Sequence, residues 1–170
     1  MSKPHPLLIQ PDECNTSSLL SLWAYLLPDL GEVLGLSPFG DWFLLGTKGS
    51  VDRIDLLEGR VDQVAGSVSE FRDLLSTVVG ADSLLYAGLV DSLCRNGVLR
   101  RSGQCYTYRL HPRLGGQIHH SNILIGDLAV WQMICAQLHP QIDSAPASAV
   151  FAGLQVDDGG GIIVRWQTGD

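Results

Sequence analysis

Apolar and polar positions follow helical spacing in some stretches of the chain and strand-like spacing in others. Residues 39–65 are the central strand-like stretch, around which the other elements are expected to pack. This central stretch holds three short runs rich in β-branched, aromatic and leucine residues. Two turn signals separate the runs, residues 47–50 (TKGS) and the pair Glu58-Gly59. Short apolar runs punctuated by glycine-containing turns are typical of a β-meander. The pattern therefore predicts an antiparallel sheet that needs helices to cover it.

Helical spacing of leucines predicts the elements on the N-terminal side of the meander. A helix begins near Asn15 and ends at Pro28, because proline cannot continue the backbone ladder. A second short helical turn follows at residues 30–34 and stops at Gly35. The N-terminal segment is therefore expected to be helical.

Further helices are predicted after the meander. Ser67 and Glu70 form a capping box that opens a helix running to Gly80. Another helix follows Asp82, and Gly97 supplies its left-handed C-terminal cap. The core-facing stripe of the first of these helices consists of Phe71, Leu74, Leu75, Val78 and Val79.

The last part of the chain mixes both patterns. Residues 104–109 and 123–125 are strand-like, and a helix capped by Asp127 runs to Pro140. Residues 150–166 predict a terminal hairpin around a glycine-rich turn. The fold class that follows is α+β, with an antiparallel sheet built on the central β-meander and about five helices packed around it.

Three segments follow from this division, and they are expected to pack as one compact unit. Residues 1–38 form an N-terminal helical segment, residues 39–146 form the α+β domain, and residues 147–170 form a C-terminal hairpin extension. A chain of 170 residues is long enough to bury a sizeable core without disulfides.

One face of the meander carries a candidate partner surface. If Glu58-Gly59 is a two-residue hairpin loop, Asp55 stands opposite Asp62. A first turn of four residues places Trp42 opposite Asp55. Facing aspartates repel each other, so either neighbouring arginines such as Arg53 neutralise them or the face meets a cation from elsewhere. Trp42, Asp55 and Asp62 are therefore the predicted partner-binding residues.

The net charge of −7 narrows the class of partner. Residues 94–126 hold five arginines and no acidic residue, so the rest of the chain is strongly acidic. An acidic chain is a poor general binder of nucleic acid, whereas its field speeds encounter with a basic protein. A role of the acidity in solubility alone stays open.

The sequence also indicates a cytoplasmic location. No run approaches 18 uninterrupted apolar residues, so no membrane span is expected. Residues 1–6 hold one lysine and two prolines and lack the apolar core of a signal peptide. The four cysteines lie far apart, in no CxxC pair, which is typical of reduced thiols.

Residues 105–139 contain the side chains that could carry chemistry. Imidazole and thiolate are zinc ligands, and a Cys–His pair can form a nucleophile. The spacing lacks a short metal-binding clip, and Cys105 lies in a predicted strand where inert thiols are common. No catalytic residue, metal or cofactor is therefore predicted. The residues considered are Cys105, His111, His119, His120 and His139.

Residues 103–139 resemble a bacterial family. The carrying motifs are residues 103–108 (GQCYTY), 112–116 (PRLGG), 122–123 (NI) and the helix from Asp127. They resemble the C-terminal domain of type VI secretion immunity proteins that are paired with antibacterial DNase effectors. The upstream meander and capped helix fit the same family, so the resemblance spans residues 39–142.

The resemblance implies a non-enzymatic cytoplasmic protein that binds a cognate toxin, a basic nuclease domain, and neutralises it. It also implies that residues 1–38 stand where a GAD-like region precedes this domain. An acidic protein can occupy the phosphate-binding surface of a nuclease in place of DNA. Two alternatives remain open: a small metal-dependent or thiol enzyme using residues 105–139, and a scaffold whose partner is not a toxin.

Overall fold

The computed structural model describes residues 6–27, 29 and 31–168. The fold is α+β, as predicted. The helices of the described residues are α1 (Thr16–Leu20), α2 (Val68–Ser76), α3 (Val78–Leu85), α4 (Ala87–Arg95) and α5 (Leu128–Asp143). The strands are β1 (Val33–Leu36), β2 (Trp42–Leu45), β3 (Val51–Asp55), β4 (Arg60–Ala65), β5 (Gln104–Tyr108), β6 (Ile123–Asp127), β7 (Ala149–Val156) and β8 (Ile162–Thr168).

The predicted meander is present as an antiparallel sheet of order β1-β2-β3-β4. Its first strand corrects the prediction of a helical turn at residues 30–34, because Leu36 pairs with Trp42 on one side and bridges to Ile9 on the other. Helix α1 ends at Leu20 and continues only as a 3-10 turn. The predicted helix end at Pro28 lies outside the described residues.

The register of β3 and β4 differs from the predicted one. Arg53 stands opposite Asp62 and Asp55 opposite Arg60, because the connecting loop has four residues, 56–59, rather than two. The Asp55 side chain favours the wider turn by accepting hydrogen bonds from the backbone of residues 57 and 58. The two aspartates therefore do not face each other.

The helices after the meander are shorter than predicted. Ser67 caps α2 as expected, while Glu70 reaches back to the backbone of Gly66. The helix ends at Ser76, since Thr77 has extended backbone angles and caps α3 instead. Tyr86, with a φ of 53°, then separates α3 from α4. Gly97 has a positive φ, as its predicted capping position requires.

Helix α5 begins at the predicted cap, Asp127, whose carboxylate accepts the Val130 amide. It does not end at Pro140 but continues to Asp143. Proline removes one backbone hydrogen bond from the last turn of the helix. Side chains of that turn make other bonds, Gln141 to β8 and Asp143 to Arg113.

Helices and loops cover both faces of the meander. On one face the core contains Trp42, Leu44 and Ile54, packed against α5, β5 and the N-terminal segment. On the other face Phe43 and Val51 pack against α2 and α3. Alternation along the strands sends neighbouring side chains to these two separate clusters.

The later strands form two separate pairs, β5 with β6 and β7 with β8, instead of extending the meander. The predicted terminal hairpin is thereby confirmed. None of the helices in the described residues is both long enough and apolar enough to cross a membrane. All four cysteines are free.

Candidate functional site

Trp42, the first predicted contact residue, lies in the core. None of its surface is exposed, and it stands opposite Ile54 rather than Asp55. Its indole Nε1 donates a 2.9 Å hydrogen bond to Oε1 of Gln132. The prediction that Trp42 contacts a partner is corrected, because a fully buried side chain offers no surface to one.

Asp55 is also buried, and its carboxylate serves the chain itself. Oδ1 accepts the amides of Leu57 and Glu58 at 2.8 and 2.9 Å, and Oδ2 lies 3.1 Å from Nη2 of Arg53. Asp55 therefore shapes the β3–β4 loop, residues 56–59, and is withdrawn from the predicted surface.

Asp62 is the predicted contact residue that reaches the surface, with 38% of its side chain exposed. Arg53 donates to both of its carboxylate oxygens, at 3.1 and 3.0 Å. The same guanidinium contacts Asp55, so a neighbouring arginine offsets part of the charge on this face, as one of the two interpretations predicted. One arginine shared by two aspartates leaves one net negative charge there.

Gln132 is a central polar residue that the sequence did not single out. Its Oε1 accepts from the indoles of Trp23 and Trp42, at 2.7 and 2.9 Å, and its Nε2 donates to the Gly40 carbonyl at 2.7 Å. These three bonds join the N-terminal segment, the meander and α5. A glutamine within an amphipathic helix gives no signal of such a role.

The β3–β4 loop is held by polar groups from distant elements. Asp41 accepts the Leu56 amide at 2.8 Å, and the Leu56 carbonyl accepts Nε2 of His139 at 2.8 Å and of His111 at 3.2 Å. Arg113 donates to the Glu58 carbonyl at 3.2 Å. The loop is thereby fixed against α5 and the segment that follows β5.

His111, Cys135 and His139 form a buried cluster with the composition of a metal site. One potential ligand atom from each lies within 4.8 Å of the others. Of the histidines considered in the sequence, the fold brings only His111 and His139 into it. Cys135 was missed, although its spacing of four residues from His139 on one helix was the signal that could have revealed it.

The hydrogen bonds of this cluster leave His139 no lone pair for a metal. A carbonyl only accepts, so Nε2 carries the proton that it donates to Leu56. A guanidinium only donates, and Nη1 of Arg113 lies 2.9 Å from Nδ1 of His139. The charge of Arg113 also opposes a cation in the same place. The geometry therefore fits a hydrogen-bonded support of the loop.

Burial keeps these groups uncharged. It lowers the pKa of His111 to about 4, with the neighbouring His139 adding to the effect. Burial likewise lowers the pKa of His139 and raises that of the Cys135 thiol well above its ordinary value. A protonated thiol is neither a good nucleophile nor a ready zinc ligand.

The other candidate residues of the 105–139 segment, Cys105, His119 and His120, lie outside this cluster. Cys105 is buried in β5, and burial raises the pKa of its thiol, so it lacks the character of a nucleophile. His119 is exposed and caps the short turn that includes His120. These side chains form no site with His111.

Asp41 is a buried carboxyl beneath the same loop. Ser37 donates its hydroxyl to Oδ2 at 2.6 Å, and the Leu56 amide donates to Oδ1. Burial, together with the nearby Asp55, raises the pKa of Asp41 to about 6. Its bonds are all internal, so it acts as a structural carboxyl.

An exposed apolar pair marks the surface on the α2–α3 side. Val78 and Val79, which we call the valine ridge, are 86% and 80% exposed. The sequence predicted them in the core stripe of a continuous helix. The break at Thr77, whose side chain accepts the Gly80 amide at 3.0 Å, places them in the first turn of α3 and turns them outward.

Two open grooves meet at the valine ridge. One, of about 780 Å³, runs along residues 75–88 and is lined by both valines and by Asp82. The other, of about 380 Å³, is lined by Val79, Arg53 and Asp62. Asp62, the predicted contact residue that reaches the surface, therefore lines one of the two grooves at the valine ridge, and Asp82 lines the other.

No protein-family model matches the chain, and no curated protein matches it. Among solved structures, the crystal structure of Atu4351 from Agrobacterium tumefaciens is similar, with 23% sequence identity and a TM-score of 0.49. The match covers 90% of this chain and 73% of that chain. The resemblance to immunity proteins stays a prediction.

Proposed function

We propose that this protein is a non-enzymatic immunity protein that binds and neutralises a secreted bacterial effector, a nuclease delivered by type VI secretion. The observation that carries the proposal is the valine ridge with Asp62 and Asp82 beside it, on a chain with a net charge of −7. The resemblance of residues 39–142 to the immunity family supports the same function.

The chemistry of the surface suits a basic partner. Interfaces combine a few apolar anchors with a polar rim, and exposed neighbouring valines supply the first while the aspartates supply the second. A nuclease presents cationic groups to phosphates. Acidic side chains can occupy that surface in place of DNA and speed association with it.

The buried polar groups also favour binding over catalysis. Gln132, the histidines of the cluster and Asp41 all spend their hydrogen bonds on the fold itself. What the described chain offers to other molecules is its outer surface. The protein would act in the cytoplasm, where free cysteines are the ordinary state.

The test is co-expression with a neighbouring gene whose product ends in a basic nuclease domain. We expect the wild type to rescue growth and to co-purify with the toxin. Val78→Lys/Val79→Lys should abolish both, because two cations replace the apolar anchor. The matched control is Val130→Lys/Met133→Lys, which changes two exposed apolar residues of α5 and should leave both intact. Loss of rescue in the control alone would place the interface elsewhere.

Charge reversal gives a second test, and the structure decides which residue to use. Asp55→Lys should unfold the protein, because it leaves a buried, unpaired charge and frees two loop amides. Asp62→Lys should keep the fold and weaken the complex, most strongly at low salt. The control is Asp91→Lys, which breaks a more exposed ion pair with Arg95 on α4. Equal affinity of the Asp62 and Asp91 variants would remove Asp62 from the interface.

A further inference from the structure

The two outer edges of the β7–β8 hairpin differ in whether their backbone groups have hydrogen-bond partners. The edge of β8 is covered by side chains of α5: Gln137 accepts the Ile162 amide at 2.9 Å, and Gln141 accepts the Val164 amide at 2.9 Å. Gln141 also donates to the Ile162 carbonyl at 2.7 Å. Two glutamines one helical turn apart thus replace a third strand.

The edge of β7 has no such cover. Ile162 and Val164 stand opposite Val156 and Leu154 in the ladder. Directly opposite residues share the direction of their hydrogen bonds, so the backbone groups of Leu154 and Val156 also point away from the partner strand. Across the described ranges 6–27, 29 and 31–168, no hydrogen bond reaches these outward groups.

The side chains of β7 do nothing to block strand pairing. Its sequence, AVFAGLQV, contains no charged residue and no proline, the usual devices that protect an edge strand. Val150, Leu154 and Val156 are 63%, 51% and 66% exposed. The register irregularity lies between Phe151 and Gly153, which leaves residues 154–156 regular.

We propose that β7 is a dimerisation edge, on which a second copy of this chain pairs antiparallel about a twofold axis at Gln155. In that register Leu154 of each copy faces Val156 of the other. The outward groups of these two residues then form about four backbone hydrogen bonds across the axis. The exposed side chains of Leu154 and Val156 then lie beside their counterparts across the axis.

Although each copy has a net charge of −7, the charged residues near β7 favour pairing with a second copy. Arg165 stands opposite Gly153 in the hairpin, and the twofold pairing places Asp157 of the second copy opposite Gly153 on its other side. Glycine has no side chain between them, and two strand spacings of about 5 Å each are within the combined reach of arginine and aspartate. Within each hairpin Arg165 donates from Nε and Nη2 to Gln155, and Oδ1 of Asp157 accepts the amides of Gly159 and Gly161. The groups that remain for the pair across the axis are Nη1 of Arg165 and Oδ2 of Asp157. No acidic residue of one copy faces an acidic residue of the other.

The test measures the dimer and its register together. Sedimentation of the full chain should show a concentration-dependent dimer. Leu154→Lys/Val156→Lys leaves the backbone intact and should weaken dimerisation by about tenfold or more, through like charges across the axis. Val78→Lys/Val79→Lys should leave dimerisation unchanged. A protein that is monomeric at its highest soluble concentration would overturn the proposal.

Cysteine substitution then checks the axis, in a Cys94→Ser background that removes the exposed native thiol. Gln155→Cys places two thiols opposite each other and should give a disulfide-linked dimer under mild oxidation. Val150→Cys, on the same strand, lies about 30 Å from its counterpart in this register and should not. Equal cross-linking of the two variants, or none of Gln155→Cys, would contradict this pairing.

Discussion

Replacing Gln132 with methionine should be among the most destabilising single changes in this protein. The substitution keeps the length and the approximate volume of the side chain, so packing changes little. It leaves two indole N–H groups, of Trp23 and Trp42, and the Gly40 carbonyl without their partner. A buried polar group left unpaired costs about 1–3 kcal/mol. Three such groups, with partial relaxation, give a loss of about 3–6 kcal/mol.

That loss is large compared with the usual stability of a domain, about 5–15 kcal/mol. The assay is equilibrium urea unfolding followed by circular dichroism, with the free energy of unfolding obtained by linear extrapolation. Gln63→Met, at an exposed position of β4, is the control and should change the free energy of unfolding by less than about 0.5 kcal/mol. A loss below about 1 kcal/mol for Gln132→Met would refute the reasoning.

A pair of tryptophans separates the hydrogen bond from the packing. Trp42 and Trp131 are both buried, but Nε1 of Trp131 is a buried donor for which the described residues provide no acceptor. Trp42→Phe and Trp131→Phe remove similar volumes. The first should cost about 1–2 kcal/mol more, since it alone breaks a hydrogen bond to Gln132. Equal losses would show that the bond contributes nothing.

Two further predictions concern the β3–β4 loop. Gly59→Ala should destabilise the protein by about 2–4 kcal/mol in urea unfolding, because φ is +68° and a Cβ would lie 2.3 Å from the ring of His139; Gly49→Ala, with φ +82° and open space, should cost only about 1 kcal/mol. Acidification should act on two groups with opposite signs. His111 has a pKa near 4, below its unfolded value, so relative to His111→Gln the wild type should lose about 1.4 kcal/mol per unit as pH falls from 6.5 to 4. Asp41 has a pKa near 6, above its unfolded value, so relative to Asp41→Asn the wild type should gain a similar amount as pH falls from 6 to 3.8. Urea unfolding of each pair at pH 7, 5 and 4 checks both signs, and parallel pH profiles within a pair would contradict them.

Local patterns predicted the elements that local forces determine. The capping serine of α2, the Asp127 cap of α5 and the Gly97 stop are contacts between neighbours in the chain, so they are visible as motifs. The meander and the terminal hairpin are likewise visible from their periodicity and turns. The same reasoning failed at Thr77, which ends one helix and caps the next, because either role fits its neighbours.

The sequence by itself therefore determined the fold class, the order of most elements and the acidic character of the surface, since these depend on spacing and composition. The tertiary structure alone decided which polar residues meet. Gln132 reaches Trp23 across 109 positions, and Leu56 reaches His139 across 83. It also decided that Trp42 and Asp55 are buried while Val78 and Val79 are exposed. The burial of Asp55 depends on how the β3–β4 loop closes, and the exposure of the two valines depends on where the helix breaks at Thr77. Small differences in backbone free energy decide between such alternatives, and local sequence patterns do not show them.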